Sequence, residues 1–321
     1  MDQSTLQVSL ADIEATRPLL DRHLRRTPMV TSQQLGDLCG VRLRFKAEMF
    51  QKTGSFKPRG MLNSLHHLDE DAKGRGVVTM SAGNAAQALA FASAQLGIAA
   101  TVVMPQGASR SKAAATEGYG ARVLLHGGMH DLLPKVQQLQ RDEGLTFVHP
   151  FDDLDLIAGH GTLGLELLEE GPAPDVVIVP VGGGGLLSGV AAALKHVRPA
   201  TRIIGVEPEG AAAMTRSLET GQPERIEDVQ TLADGLAAPF AGEHTLRHVQ
   251  GFADDIVLVS DDEIRESLRL ILERCKLLAE PAAAASFAAL LHGKLQVRPG
   301  SQVVCVLSGG NVDRSLLRDL L

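Results

Sequence analysis

Tryptophan is absent from this chain of 321 residues, tyrosine occurs once, and aromatic residues make up only 3% of it. A core without large rings must be assembled from Ala, Val, Leu and Ile. Cysteine is equally sparse: Cys39, Cys275 and Cys305 are scattered, odd in number and free of any C-x-x-C pair. That argues against a disulfide framework or a zinc knuckle and fits a reducing compartment. No apolar run approaches the roughly 20 residues of a membrane span. The start, Met1–Leu10, is polar and lacks the apolar heart of a secretion signal. An excess of positive charge is also missing. The formal net charge of -7 argues against a nucleic acid or an anionic membrane as partner, since both ask for clustered Lys and Arg. It leaves an anionic small molecule open, because backbone N–H groups alone can hold a phosphate. The expectation is a cytoplasmic protein with a small-molecule partner.

What is present is a hydrophobic content of 44%, enough to bury a sizeable core. Short Val/Ile/Leu runs alternate with Ala- and Leu-rich helical stretches from about Arg42 onward. Strands are expected at Val77–Ser81, Ala100–Met104, Arg122–His126, Val176–Val181, Arg202–Val206, Ile256–Ser260 and Gln302–Leu307. Helices are expected at Leu10–Leu24, Ala85–Leu96 and Leu186–Val197. Strands that are apolar throughout are buried on both faces, and helical crossovers make neighbours parallel. The fold class is therefore α/β. Four βα-like units fill roughly Lys52–Thr146 and a second series begins near Phe147. The division expected is a large domain of residues 1–51 and 147–321 with a small inserted domain of residues 52–146.

Four segments could carry chemistry. Gly182-Gly183-Gly184-Gly185-Leu186 follows a strand and opens a helix. Glycines let a backbone approach a ligand closely, and a helix N-terminus favours an anion, so this reads as a phosphate cradle. The alternative is a tight βα turn in which the glycines only relieve crowding. A dinucleotide site is a third reading, with Glu207 as the acidic residue, but the G-x-G-x-x-G spacing is not met. In Gly54-Ser55-Phe56-Lys57-Pro58-Arg59-Gly60, Ser55 could cap the helix through Met61–Leu65. A lysine is usually a solvated surface charge; held at a helix start in an apolar pocket, Lys57 could instead be a nucleophile and base. Ser81-Ala82-Gly83-Asn84-Ala85 sits at another strand-to-helix junction, either as a plain cap or as a carboxylate site. Ser308-Gly309-Gly310-Asn311 follows the last strand, as a turn or as part of a crevice.

Assembled, these segments resemble the serine/threonine dehydratase group of the pyridoxal-phosphate enzymes. The resemblance extends to Gly118-Tyr119-Gly120-Ala121, His149–Gly161, Thr231–Leu236 and Glu280-Pro281. It implies fold type II, two open, twisted, mostly parallel sheets flanked by helices, with pyridoxal 5'-phosphate in the cleft between domains. It implies that Lys57 binds the cofactor covalently and that Phe56 flanks its ring. Asn84 would bond the phenolic oxygen, Gly182, Gly183, Gly184, Gly185 and Leu186 would hold the phosphate, and Ser308 would face the pyridine nitrogen. Gly235 and Glu280 would line the cofactor. Ser81, Ala82, Gly83, Asn84 and Ala85 would face the substrate. The implied reaction converts a small L-β-hydroxy amino acid, threonine or serine, to a 2-oxo acid and ammonia, in a homodimer.

Two positions depart from the group. Ala85 stands where histidine is usual, which leaves room for a larger or more acidic substrate. After Glu207-Pro208 the stretch Gly210-Ala211-Ala212-Ala213 lacks the second acidic residue of cation-binding relatives, so no metal is expected. With Leu321 soon after the Ser308 motif, feedback through a C-terminal regulatory domain is not expected either. The alternatives on the same fold are a β-replacement synthase, whose lysine is usually followed by Asp-Arg rather than Pro58-Arg59, and a racemase. A non-catalytic ligand sensor is the alternative from another class, but a sensor has no need of Lys57.

Racemisation needs an acid on the face opposite the lysine, and the position that supplies a serine hydroxyl in racemases is Ala82. Such a group is worth roughly 10²–10⁴-fold. Incubation with an L-β-hydroxy amino acid should therefore give 2-oxo acid well ahead of the D-enantiomer on a chiral column, and Ala82→Ser should raise the D-enantiomer. Equal rates of the two products in the parent enzyme would contradict this.

Overall fold

The computed structural model describes residues 7–320. The first six residues of the polar Met1–Leu10 start lie outside the described residues. The strands are β1 (Met29–Thr31), β2 (Arg42–Ala47), β3 (Val77–Met80), β4 (Ala100–Met104), β5 (Arg122–Leu125), β6 (Thr146–Phe147), β7 (Val176–Pro180), β8 (Arg202–Pro208), β9 (Asp255–Val259) and β10 (Gln302–Leu307). They form a six-stranded sheet in the order β1-β2-β10-β7-β8-β9 and a four-stranded sheet in the order β5-β4-β3-β6. All pairs are parallel except β1 with β2. The expected mostly parallel α/β fold is thus the observed one.

The apolar runs account for this directly. β7 and β4 are buried along their whole length, as strands covered by helices on both faces must be. Three strands escape the sequence pattern: β1 has three residues, β2 reads RLRFKA with a charge at every second position, and β6 has two residues. Consequently the stretch 52–146 holds three strand-helix units rather than four, and β6 spans the expected start of the second series at Phe147.

Glycine and alanine replace the missing rings in the core. The Pro281–Leu291 helix reads PAAAASFAALL and is buried from Pro281 to Leu290. Phe287, its one ring, meets Phe45 of β2 edge to face at 5.5 Å. Where the Leu154–Glu169 helix passes the segment after Lys57, a Cβ on Gly159 would lie 2.3 Å from the Arg59 carbonyl oxygen. Only glycine allows that approach.

The register sets the site. Gln302 lies opposite Arg42 and Leu307 opposite Ala47, so β2 and β10 end level. The segments that follow them run side by side and join in a bridge between Ser55 and Gly309.

Beneath this junction is a buried ionic network. Arg59 Nε donates to Glu48 Oε2 at 2.9 Å, and Arg59 Nη1 donates to Glu166 Oε1 at 2.6 Å. Lys46 Nζ pairs with Glu166 Oε2 at 2.7 Å. The Arg59 and Glu48 side chains are 2% and 0% exposed, so neither charge can fall back on water. Removing one partner strands the others, at a cost of roughly 3–5 kcal/mol. Arg59→Met should lower unfolding free energy by about that amount in urea titrations. A change under about 1 kcal/mol would mean that the carboxylates find water or neutralise instead.

Candidate active site

Lys57 takes the N-cap position of the Pro58–His66 helix. The chain reaches it through two left-handed residues, Thr53 (φ 61°) and Gly54 (φ 72°). Thr53 is β-branched, so this conformation is strained and needs outside support. Asn311 supplies it: its Nδ2 donates to the Thr53 carbonyl at 2.7 Å, and its side chain fills the space where a Cβ on Gly54 would sit. The Phe56 N–H donates to the Ser308 carbonyl at 3.0 Å. Lys57 Nζ donates to the Pro150 carbonyl at 2.9 Å and lies 5.2 Å from the Phe56 ring centre. Burial lowers its pKa to about 8, against the opposing pull of Glu280. Ser55 does not cap the helix. Lys57 is already in helical conformation there, and the Ser55 hydroxyl is buried without a partner.

Glu280, 3% exposed, precedes the Pro281–Leu291 helix. Burial pushes its carboxyl up to about 7, and Asp234 pushes the same way against the Asn84 hydrogen bond. Asn84 Nδ2 donates to Glu280 Oε1 at 2.7 Å, and Asn311 Nδ2 donates to Asn84 Oδ1 at 2.8 Å. An ionised carboxylate only accepts, so it turns the Asn84 amide nitrogen toward itself and leaves one N–H for a ligand. Gly309 and Gly235 both lie against this carboxylate. A Cβ on them would sit 2.7 Å and 3.6 Å from Glu280 Oε1. Ser308 is buried beside them.

Gly182–Gly185 follow β7. Gly184 (φ 94°) caps the Gly185–Val197 helix, and no side chain bonds its first N–H groups. Elsewhere helix starts are mixed: Ser9, Ser32, Asp69, Asp153 and Ser260 cap theirs, whereas those at Arg110 and Leu132 have no side-chain cap. The helices starting at Pro58, Asn84, Gly185 and Pro281 carry none. A helix start left bare in this way is suited to an anion. The glycines are needed on their other side too. A Cβ on Gly183 would lie 2.3 Å from the Phe151 ring, and one on Gly184 would lie 2.5 Å from Met214 Cε. The cradle and the tight turn are therefore compatible readings of one loop. Leu186 is buried in the core.

In the Ser81 loop the hydroxyl accepts the Gly83 N–H at 3.1 Å. Ser81, Ala82, Gly83 and Asn84 are partly exposed. Ala85 is not on their side. It is 5% exposed and packs in the small sheet's apolar cluster with Leu62 and Leu89. Successive helical residues diverge by about 100°, so Asn84 faces Glu280 while Ala85 turns inward. Glu207 serves no ligand in this arrangement. Its carboxylate accepts the N–H groups of Met214 and Thr215 at 2.8 Å and so holds the start of the Ala213–Thr220 helix. Among the described residues no cluster of three or more His, Cys, Asp or Glu side chains could hold a metal.

Sequence reasoning missed Asn311 as a clamp and the Pro150 carbonyl as the partner of Lys57. The first was visible as a polar residue in the Ser308–Asn311 motif. The second is main chain and leaves no signal.

The profile of the pyridoxal-phosphate dependent enzymes matches residues 20–309, and the chain belongs to that family. Within it the chain falls in the serine/threonine dehydratase group, with the fold type II architecture. The catabolic L-threonine dehydratase of Escherichia coli (strain K12) is 43% identical over 97% of this chain and 95% of the relative. The phenylserine dehydratase of Ralstonia pickettii is 41% identical over 98% of this chain and 96% of the relative. The solved structure of maize serine racemase is 35% identical, with a TM-score of 0.93 over 97% of this chain and 96% of that one.

Lys57 with a pKa of about 8 gains its neutral amine as pH rises through that value. Capture of pyridoxal phosphate by the apoprotein, fixed with borohydride and mapped to Lys57, should speed up about tenfold per pH unit below about 8 and level off above it. A rate that climbs on toward about 10.4 would mark an ordinary lysine.

Proposed function

We propose that this chain, a pyridoxal-phosphate-dependent lyase, removes water and then ammonia from a small L-β-hydroxy amino acid and releases the 2-oxo acid. The observation that carries the reading is the Lys57 amine, its pKa lowered by burial and its Nζ held on the Pro150 carbonyl. The residues fit the cofactor. The bare start of the Gly185–Val197 helix, with Gly182, Gly183, Gly184, Gly185 and Leu186, would hold its phosphate. Lys57 would bind it covalently, Phe56 would flank it, and Asn84 would give its spare N–H to an oxygen. Gly235, Glu280 and Ser308 would line it. When bound, pyridoxal phosphate supplies the electron sink for the carbanion at the substrate Cα.

The chain's own groups do the rest. The Ser81–Asn84 loop, at the uncapped start of the Asn84–Leu96 helix, would orient the substrate carboxylate. The neutral Lys57 amine takes the Cα proton. Ser308, a neutral partner, would not force a protonated ring nitrogen, so the sink stays moderate and prompt loss of the β-hydroxyl is favoured. Arg59, the residue that follows Pro58, is committed to Glu48 and Glu166. Pro58 stands where a β-replacement synthase usually carries aspartate, and that supports elimination. The small domain of residues 52–146, the homodimer and the cytoplasmic location belong to the same proposal. Among the described residues no helix is long and apolar enough to cross a membrane.

Threonine and serine are the reference substrates. The relatives that carry threonine and phenylserine in their names stand at 43% and 41% identity, so identity does not choose between them. The purified protein should be yellow and should release 2-oxo acid and ammonia from L-threonine or L-serine, with no β-thiol amino acid, such as cysteine from serine, when sulfide is added. Lys57→Ala should lose far more than a factor of ten in kcat, because nucleophile and base vanish together. Full turnover in that variant, or a borohydride label on another lysine, would remove the basis for the reading.

A further inference from the structure

The chain has nine phenylalanines, and several of them gather where Lys57 meets its carbonyl partner. His149 and Phe151 flank Pro150, whose oxygen accepts from Lys57 Nζ. The His149 and Phe151 rings meet edge to face at 4.6 Å. Phe240 lies 5.4 Å from Phe151 and 6.2 Å from His149. Phe147 lies 5.8 Å from His149 on its other side. Phe56, next to Lys57, lies apart from this group, with Lys57 Nζ 5.2 Å from its ring centre and His160 as its ring partner at 4.8 Å.

Core packing explains only part of this group. Phe151 is buried and seats its ring on Gly183. Phe147, His149 and Phe240 are only partly buried, unlike Phe45 and Phe287 in the core of the large sheet. Small-molecule sites are lined mostly by apolar and aromatic side chains around a few placed polar groups, and rings beside the Lys57 amine match that composition. His149 is held in place: its Nδ1 accepts the Asp152 N–H at 2.8 Å and the Phe151 N–H at 3.3 Å. Its proton is therefore on Nε2. Burial outweighs the charges of Asp152, Lys57, Asp153 and His244 and holds the ring below the ordinary histidine pKa, so His149 stays uncharged near neutrality, while the Arg225 guanidinium lies over the Phe240 ring, 5.2 Å from its centre. Ala85 offers no space for a larger substrate, because it is buried in the core. The methyl group of threonine would leave most of this ring surface unused.

We infer that Phe147, His149, Phe151 and Phe240 form a subsite for the β-substituent of the substrate, and that it is built for an aryl group, so that a 3-arylserine is used in preference to threonine. The inference rests on the elimination reading and narrows its substrate class. For 3-phenylserine the Cα–H and Cβ–O bonds break, water leaves and is regained on hydrolysis, and the products are phenylpyruvate and ammonia. No oxidant or further reactant is required.

The test uses the holoenzyme. kcat/KM for L-threo-3-phenylserine should exceed that for L-threonine by about tenfold or more, the scale a hydrophobic pocket can discriminate. L-phenylalanine, which cannot eliminate, should inhibit at a concentration about tenfold lower than L-2-aminobutyrate does. Phe240→Ala should lower kcat/KM for phenylserine about tenfold and that for threonine less than about threefold. Should Phe240→Ala fail to fold, the parent enzyme's substrate and inhibitor ratios decide alone. Threonine turned over as well as phenylserine, equal inhibition by the two analogues, or equal losses in Phe240→Ala would overturn the inference and leave the elimination reading standing. No 2-oxo acid from any β-hydroxy amino acid would overturn both.

Discussion

Arg59 cannot leave its place without stranding the fully buried Glu48 and unpairing the largely buried Glu166, and much of the molecule is arranged around that constraint. Glu48 directly follows β2 and Glu166 lies far along the Leu154–Glu169 helix, so one guanidinium ties the end of a strand to a packed helix. It lies two residues beyond Lys57. The start of the lysine's helix is therefore fixed from below by charge pairing, while Asn311 and Ser308 fix it from above. Such a network is a poor source of net stability, because desolvation offsets most of the attraction. Its value lies in allowing few other arrangements, and its position directly beneath Lys57 gives that restriction a use in the proposed reaction.

A second constraint comes from the parallel register of β2, β10 and β7. Parallel strands in one sheet end on the same side, and their following loops share a crevice. Lys57, Ser308–Asn311 and Gly182–Gly185 each follow one of these three strands. Asn84 arrives from the other sheet and joins them through Glu280. Glu280 thus links both sheets' contributions, and its burial explains why it is poised between charged and neutral rather than fully ionised.

The strands were readable because each long one is a continuous apolar run, from Val77 to Leu307. β6 was not, because two residues carry no period. Lys57, the glycine loop and Asn84 were readable as unusual residue types at strand-to-helix junctions. Ser55 was misread because a serine ahead of a helix is an ordinary cap, and only the bridge to Gly309 shows that the chain there is still extended. Ala85 was misread because a motif is written in one line, whereas a helix turns its neighbours to different sides. Asn311 acts on Asn84 from 227 positions away, a distance no local pattern spans.

Lys57 is held by main-chain oxygen. The Pro150 carbonyl accepts its amine, the Ser308 carbonyl accepts the neighbouring N–H, and the Thr53 carbonyl receives the Asn311 clamp. Main-chain anchors survive a change of side chain and fail on a change of length. Over evolutionary drift, residues 53, 150 and 308 are free to vary in identity as far as these three bonds are concerned. A single insertion or deletion between them and the strands they follow would dismantle the arrangement at once. The spacing of the segments, more than their lettering, is what descent has to preserve.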